Sequence, residues 1–389
     1  MEPVTHFLTG ACIGRTGLNR KTAYATLACV LAAEAADLDI FWGFVGPVEE
    51  LKHHRGITHT FWAVPVVAGV ITGAVWLFDR WRYARRRDTA AAVVPSAATE
   101  DQGGMAQPPP IVIPSLVAAR QPAHWGWLYL STFIASLTHI LLDWTNNYGV
   151  RPFFPLNDHW YSGSFMFIAE PTLWLLFFLA FFMPWVFGLA DREIGARRKR
   201  FRGRGWAIFA LGGMVLLGCW RWTEHGRALA LFQNADVASE PVLRMAAEPY
   251  PVNPFRWHTM LETADFFQTA EINTRTSSID SDPNRDVLYK PADTPAVEAA
   301  KRTLLGRVYL DWGTWAVVRD VGQEPVAGLD PPNLPPGRTW TTVEFSDLRF
   351  HYSFLASRNS AGRAPLGGWV YIVDSREEAG EVMSGRAQK

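Results

Sequence analysis

Residues 60–78 (TFWAVPVVAGVITGAVWLF) carry no charge and are long enough, as a helix, to cross about 30 Å of hydrocarbon. Three further apolar runs repeat the signal. Residues 127–142 are broken only by Ser, Thr and His139. Residues 165–190 hold a lone Glu170 before Pro171, and 206–220 are Gly-rich. Shorter runs at 22–36 and 6–13 are predicted to form a hairpin turning at 15–21. A soluble protein with buried helices is the competing reading, and the uncharged lengths favour the membrane. Glu2 and the lack of a basic leader argue against a signal peptide, so the first residues read as mature structure.

Composition agrees. The chain has 389 residues, 49% hydrophobic and 19% charged, against about 25% charged in soluble domains. The net charge of zero hides an asymmetry: residues 1–223 hold 20 basic and 15 acidic groups, residues 224–389 hold 17 and 22. Sixteen of those 20 basic residues fall in three loops, 15–21, 80–120 and 192–204. With helices at 22–36, 60–79, 127–143, 165–190 and 206–222, all three loops share one side. The positive-inside rule makes that side cytoplasmic. Residues 37–59, 144–164 and everything after 223 then lie on the opposite side.

Residues 88–123 are rich in Ala, Pro, Gly and Ser and read as a flexible cytoplasmic linker. Beyond 223 a helix is predicted over 227–247, then strands over 256–275, 307–319, 339–351 and 369–373. The expected fold is an all-α multi-pass membrane domain (1–223) followed by a small α+β soluble domain (224–389) outside the cytoplasm. No basic stripe runs through the second half, so a nucleic-acid partner is not expected. Cys12, Cys29 and Cys219 all lie in apolar stretches and form neither a disulfide framework nor a CxxC knuckle.

Ionisable residues in or beside membrane helices point to function, because burying them there is costly. Three clusters stand out, and the charge-derived topology puts them at one face. They are Glu34 with Asp37 and Asp39; the stretch His53-His54-Arg55-Gly56-Ile57-Thr58-His59; and His139 with Asp143. His139 and Asp143, four apart, project from one face of a helix. Imidazole with carboxylate suits zinc; with more oxygen ligands, manganese or iron also fit. Such an ion lowers the pKa of water towards about 7. The bland alternatives are a hydrogen-bonded helix histidine, interfacial helix-end acids and a solvated turn. Glu170 stays open as a ligand, a proton relay or a partner for Arg151.

The order His6, Asp37-Leu-Asp39, His54-Arg55-Gly56-Ile-Thr58-His59, His139-x-x-x-Asp143 resembles the YdjM-like family of LexA-regulated inner-membrane proteins, classed as metal-dependent hydrolases. The resemblance covers residues 1–190, and the His-Arg-Gly-x-Thr-His element is its specific part. It matches a long form with an extra C-terminal domain, in which Glu170-Pro171 fills the place of a carboxylate-Pro pair opening a later helix. Ala36 departs from the family's Pro before the first Asp.

These readings combine into one expectation: a divalent-metal hydrolase at the outer membrane face, acting on a membrane lipid or lipid-linked ester or phosphoester. The expected ligands are His6, Asp37, Asp39, His54, His59, His139 and Asp143, with His6 included only if a short helix starts at the outer face. Arg55 is expected to neutralise an anionic substrate group, Thr58 to orient a histidine, and Glu170 to assist. The rivals are a metal or proton transporter, and an anchor for an envelope-binding outer domain.

Overall fold

The computed structural model describes residues 1–92, 122–195, 203–235, 240–356 and 366–388. Most of the expected linker at 88–123 therefore lies outside the described residues. Helix α1 (Pro3–Ile13) starts at an N-cap from Glu2, whose carboxylate accepts from Thr5 N at 3.1 Å. A turn follows in which Gly17 takes φ 138°, and α2 (Ala25–Glu34) runs back beside α1. This is the predicted hairpin. The crossing is tight: a Cβ on Gly10 would lie 2.7 Å from the Cys29 carbonyl, and one on Gly14 2.5 Å from Thr26 Cα. Small residues let helices approach this closely.

The regular helix is shorter than the expected 22–36: α2 ends at Glu34, and its 10 residues rise about 15 Å. The chain continues as 3-10 helix over Ala35–Phe44, then α3 (Pro47–His53). Among the described residues, four helices are long and apolar enough to cross a membrane. They are α4 (Ala63–Ala92, apolar over Ala63–Ala84), α5 (Trp125–Trp144), α6 (Pro171–Glu193) and α7 (Arg204–Asn234).

Contacts gather the basic turns at one end of this bundle. Arg204 Nε donates to Thr16 O at 2.7 Å. His124 N donates to Thr22 Oγ1 at 2.9 Å, and Tyr24 OH meets Asp79 at 2.7 Å. The opposite end carries residues 35–59 and 144–168 and the C-terminal region.

Helix α7 runs unbroken through residue 223 to Asn234, where sequence reading placed a boundary and a second helix reaching 247. Leu217, Arg221, Glu224, Ala228 and Phe232 are buried along one stripe of it. That stripe carries the bundle core into the first sheet: Phe177, Ala207, Phe232, Trp257 and Ile272 belong to one apolar cluster.

Two antiparallel sheets follow. The first has strands β1 (Arg244–Pro249), β2 (Arg256–Glu262), β3 (Phe266–Asn273) and β4 (Ser278–Asp280) in that order, with β5 (Val287–Tyr289) on the far part of β3. After α8 (Pro295–Lys301) and α9 (Leu304–Trp312) come β6 (Ala316–Gly322), β7 (Trp340–Asp347), β8 (Gly368–Val373), β9 (Glu377–Met383) and β10 (Arg386–Ala387), ordered β10-β9-β8-β7-β6. The expected strand over 307–319 is helical in its first half. Thr303 caps α9 by accepting from Gly306 N at 3.1 Å, and its buried Leu305, Tyr309 and Trp312 recur at helical spacing.

Candidate metal centre

The second sheet and its helices pack onto the loops at the non-basic end. Arg349 donates to Asn147 O at 2.8 Å, Trp312 Nε1 to Tyr148 O at 3.2 Å, and Val48 N to Gln388 at 2.9 Å. Beneath these loops four side chains from three separate segments converge. Asp37 comes from the 3-10 helix, His59 from a short 3-10 turn (Ile57–His59), and His139 and Asp143 from the last turns of α5.

One atom from each of the four lies within 4.8 Å of the others. His59 Nε2 is 3.0 Å from His139 Nε2, 3.3 Å from Asp37 Oδ1 and 3.3 Å from Asp143 Oδ2. His139 Nε2 is 3.5 Å from Asp37 Oδ1 and 3.4 Å from Asp143 Oδ2. A tetrahedral zinc with ligands at ~2.0–2.1 Å has ligand-to-ligand edges of roughly 3.3–3.4 Å. The donor set fits such an ion.

Hydrogen bonding behind the rings makes the same point. His139 Nδ1 contacts Ala33 O at 2.5 Å, and a carbonyl can only accept. His59 Nδ1 lies 3.3 Å from Asp39 Oδ2, again an acceptor. In the neutral rings both Nε2 atoms therefore carry lone pairs, facing each other and two carboxylates. Four electron-rich atoms meet at one buried point, and positive charge is favoured there. Burial disfavours charge on His59, but bonds to Asp143, Asp37 and Asp39 outweigh it and push its pKa up to about 10. Burial likewise acts against the Asp37 carboxylate, and His139 and His59 hold it well below the usual range.

Asp39, expected as a ligand, lies behind His59. Its Oδ2 accepts from Arg55 N at 2.8 Å and from Thr58 Oγ1 at 3.4 Å; its Oδ1 is 3.1 Å from His54 Nδ1. His54 stands outside the four, with its side chain 28% exposed. The local backbone explains the split between the two histidines. Arg55 adopts φ 53° and Gly56 packs against His53 O, 2.9 Å from where a Cβ would sit. This turn aims His59 inward and leaves His54 at the rim.

Arg55 faces the centre. It is buried, Nη2 is 2.9 Å from Asp143 Oδ1, Nη1 donates to Gly149 O at 2.6 Å, and the guanidinium covers Tyr148 at 4.7 Å. Thr58 Oγ1 lies 3.1 Å from His59 Nδ1. His6 is brought in as well: α1 starts at this end, the ring stacks on His139 at 3.8 Å, and Nε2 is 3.3 Å from Asp143 Oδ1. The Met1 amine contacts the same oxygen.

Glu170 is not brought to the group. It caps α6 by accepting from Thr172 N at 3.3 Å, accepts from Val252 N at 3.2 Å, and pairs with Arg221 at 2.8 Å. Arg151 pairs instead with Asp311. Sequence reading missed the backbone acceptors, Ala33 O and Gly149 O, that fix His139 and Arg55, since a carbonyl leaves no mark in sequence.

Long apolar helices ending in a buried His/Asp quartet define an integral membrane protein with a candidate cation centre. The family model described as YdjM inner membrane protein matches residues 1–228, well over half of the chain, and the chain belongs to that family. No curated protein and no solved structure matches it.

Proposed function

We propose that this protein is a divalent-metal hydrolase of the bacterial inner membrane, whose centre opens at the outer face onto a lipid or lipid-linked ester or phosphoester. The observation that carries this reading is the convergence of His59 Nε2, His139 Nε2, Asp37 Oδ1 and Asp143 Oδ2. A bound divalent ion supplies Lewis-acid polarisation of the scissile group and acidifies water. The protein's own groups do the rest. Asp39 holds the His59 tautomer and Ala33 O that of His139, as partners behind metal-binding histidines do. Arg55 neutralises and fixes the outer oxygen of Asp143. His54, partly exposed on Asp39, stands between the centre and solvent.

A lipid substrate is favoured by what surrounds the centre. The 3-10 segment that turns Asp37 and Asp39 inward exposes Leu38 57%, Ile40 59%, Phe41 58% and Phe44 80%. Ile57, on the 3-10 turn packed against this segment, is equally bare. Such a patch is costly in water and suits the headgroup boundary, where aromatic residues concentrate. His139 and Asp143 lie in the last turns of α5, at one depth, whereas a transport pathway distributes such groups through the bilayer.

The test is lipid product analysis after incubating zinc- or manganese-loaded protein with vesicles carrying a panel of ester and phosphoester lipids. Cleavage of one class, lost in His59→Ala, is expected. Fully metal-loaded protein that cleaves none of them overturns the hydrolase reading.

A further inference from the structure

A cleft of about 310 Å³, sharing no lining residue with the metal quartet, lies between α3, the 151–160 loop and α9. Its two characters are separable. One wall is apolar: Leu51, Trp160, Leu304 and Val308. The other is cationic: Arg151, Lys52 and Arg307 line it against a single carboxylate, Asp311. On α9 the positions 304, 307, 308 and 311 recur at helical spacing, so one stripe of the helix presents apolar and charged groups to the same cleft.

Arg151 is the anchor. Its side chain is 7% exposed, and the guanidinium is held between Trp160 at 4.5 Å and Phe154 at 4.9 Å. Nη2 donates to Lys52 O at 3.0 Å and Nη1 to Asp311 at 3.2 Å. Its Nε is buried with no hydrogen-bond partner, a costly state for a group on a charged side chain. Asp311 is itself 48% exposed and also accepts from Trp160 Nε1 at 3.3 Å, so it offsets only part of the charge. Lys52 is engaged by Glu49 at 3.0 Å on the solvent side. Arg307 has an exposed side chain whose Nη1 donates to Arg302 O.

We propose that this cleft binds a single-chain lipid with a phosphate headgroup, with the acyl stem along Leu51, Leu304 and Val308 and the phosphate at Arg151 and Arg307. Planar guanidinium groups take phosphate oxygens in paired hydrogen bonds, and the apolar wall accounts for a tail where a free anion needs none. The site is separate from the metal centre and stands or falls without it. Because Arg151 holds the Lys52 carbonyl, occupation ties the ligand to the segment leading into His54 and Arg55.

The experiment is photolabelling of the full-length protein in neutral detergent with a diazirine-bearing dodecyl phosphate, followed by peptide mapping. The same chain with an uncharged glucosyl head is the control. Labelling should concentrate in residues 304–312 and exceed the uncharged probe about tenfold, the worth of one charge-assisted hydrogen bond. Arg307→Gln, at an exposed position, should lose most of it without loss of folding. Leu304→Trp, which fills the apolar wall, should lose it while leaving bound metal unchanged. Equal labelling by the uncharged probe overturns the proposal. So does full competition by inorganic phosphate at the probe's own concentration, which would make the site one for free anion.

Discussion

His59 Nε2 and His139 Nε2 face each other at 3.0 Å across 80 residues of sequence, with the far nitrogen of each ring already committed to an acceptor. Neither ring explains the other without something positive between them. That pairing supports a first prediction. His59→Ala and His139→Ala should each abolish most metal binding, measured by elemental analysis of purified protein, and the double variant should lose little more. Residues serving one ion are strongly non-additive. His53→Ala is the control: its ring stacks on Trp42 at 4.0 Å, away from the quartet, and metal should remain. Stoichiometric metal in the double variant would sink the assignment.

Asp39→Asn separates the orienting carboxylate from the ligands. The change keeps shape but weakens the hold on His59 Nδ1, so metal affinity should drop about 10–100-fold, read by competition with a chelator. Asp143→Asn should lose the ion almost entirely. Equal losses in the two would place Asp39 among the ligands.

The C-terminal region should depend on Arg349. Its guanidinium forms two 2.9 Å bonds to Asp347 and also reaches Asn147 O and Trp312 O. Removing it leaves a buried carboxylate uncompensated, a cost of about 3 kcal/mol. Arg349→Met should lower the melting temperature of the detergent-purified protein by several degrees; an unchanged melt would show that the Asp347–Arg349 pair contributes little.

Acid should loosen the first sheet through His258. Burial pushes its pKa down to about 4, and the hydrogen bond to Leu348 O counters only part of this. The folded state thus binds its proton less readily than the unfolded chain, whose value is 6.5. Stability from this group is complete above pH 6.5 and falls between there and about pH 4, by about 1.4 kcal/mol per pH unit. His351 is shifted in the same direction. His258→Gln should flatten the melting temperature over that window; an equally steep slope in the variant would assign the acid sensitivity elsewhere.

Orientation is open to direct test. A C-terminal alkaline phosphatase fusion should be active and a C-terminal green fluorescent protein dark, because the basic turns at the other end of the bundle retain the cytoplasmic side. The reverse result would move the centre to the inner face.

The sequence by itself determined the apolar spans, the N-terminal hairpin and the residue types of the centre. These are local properties: hydrophobic length, a polar turn between two short apolar runs, and histidines and carboxylates beside membrane helices. It did not separate Asp37 from Asp39, since two acids two positions apart look alike until a 3-10 turn sends one to the quartet and the other behind His59. It also left the partner of Glu170 open, because nothing near it in the chain announces Arg221. Where α7 ends, and that 304–312 is a helix, were likewise decided by packing, as each buries a stripe against a sheet formed much later in the chain. Only the tertiary structure chose which buried charges gather in the quartet and which pair with each other, because that choice is a sum of distances between segments that the chain order leaves free.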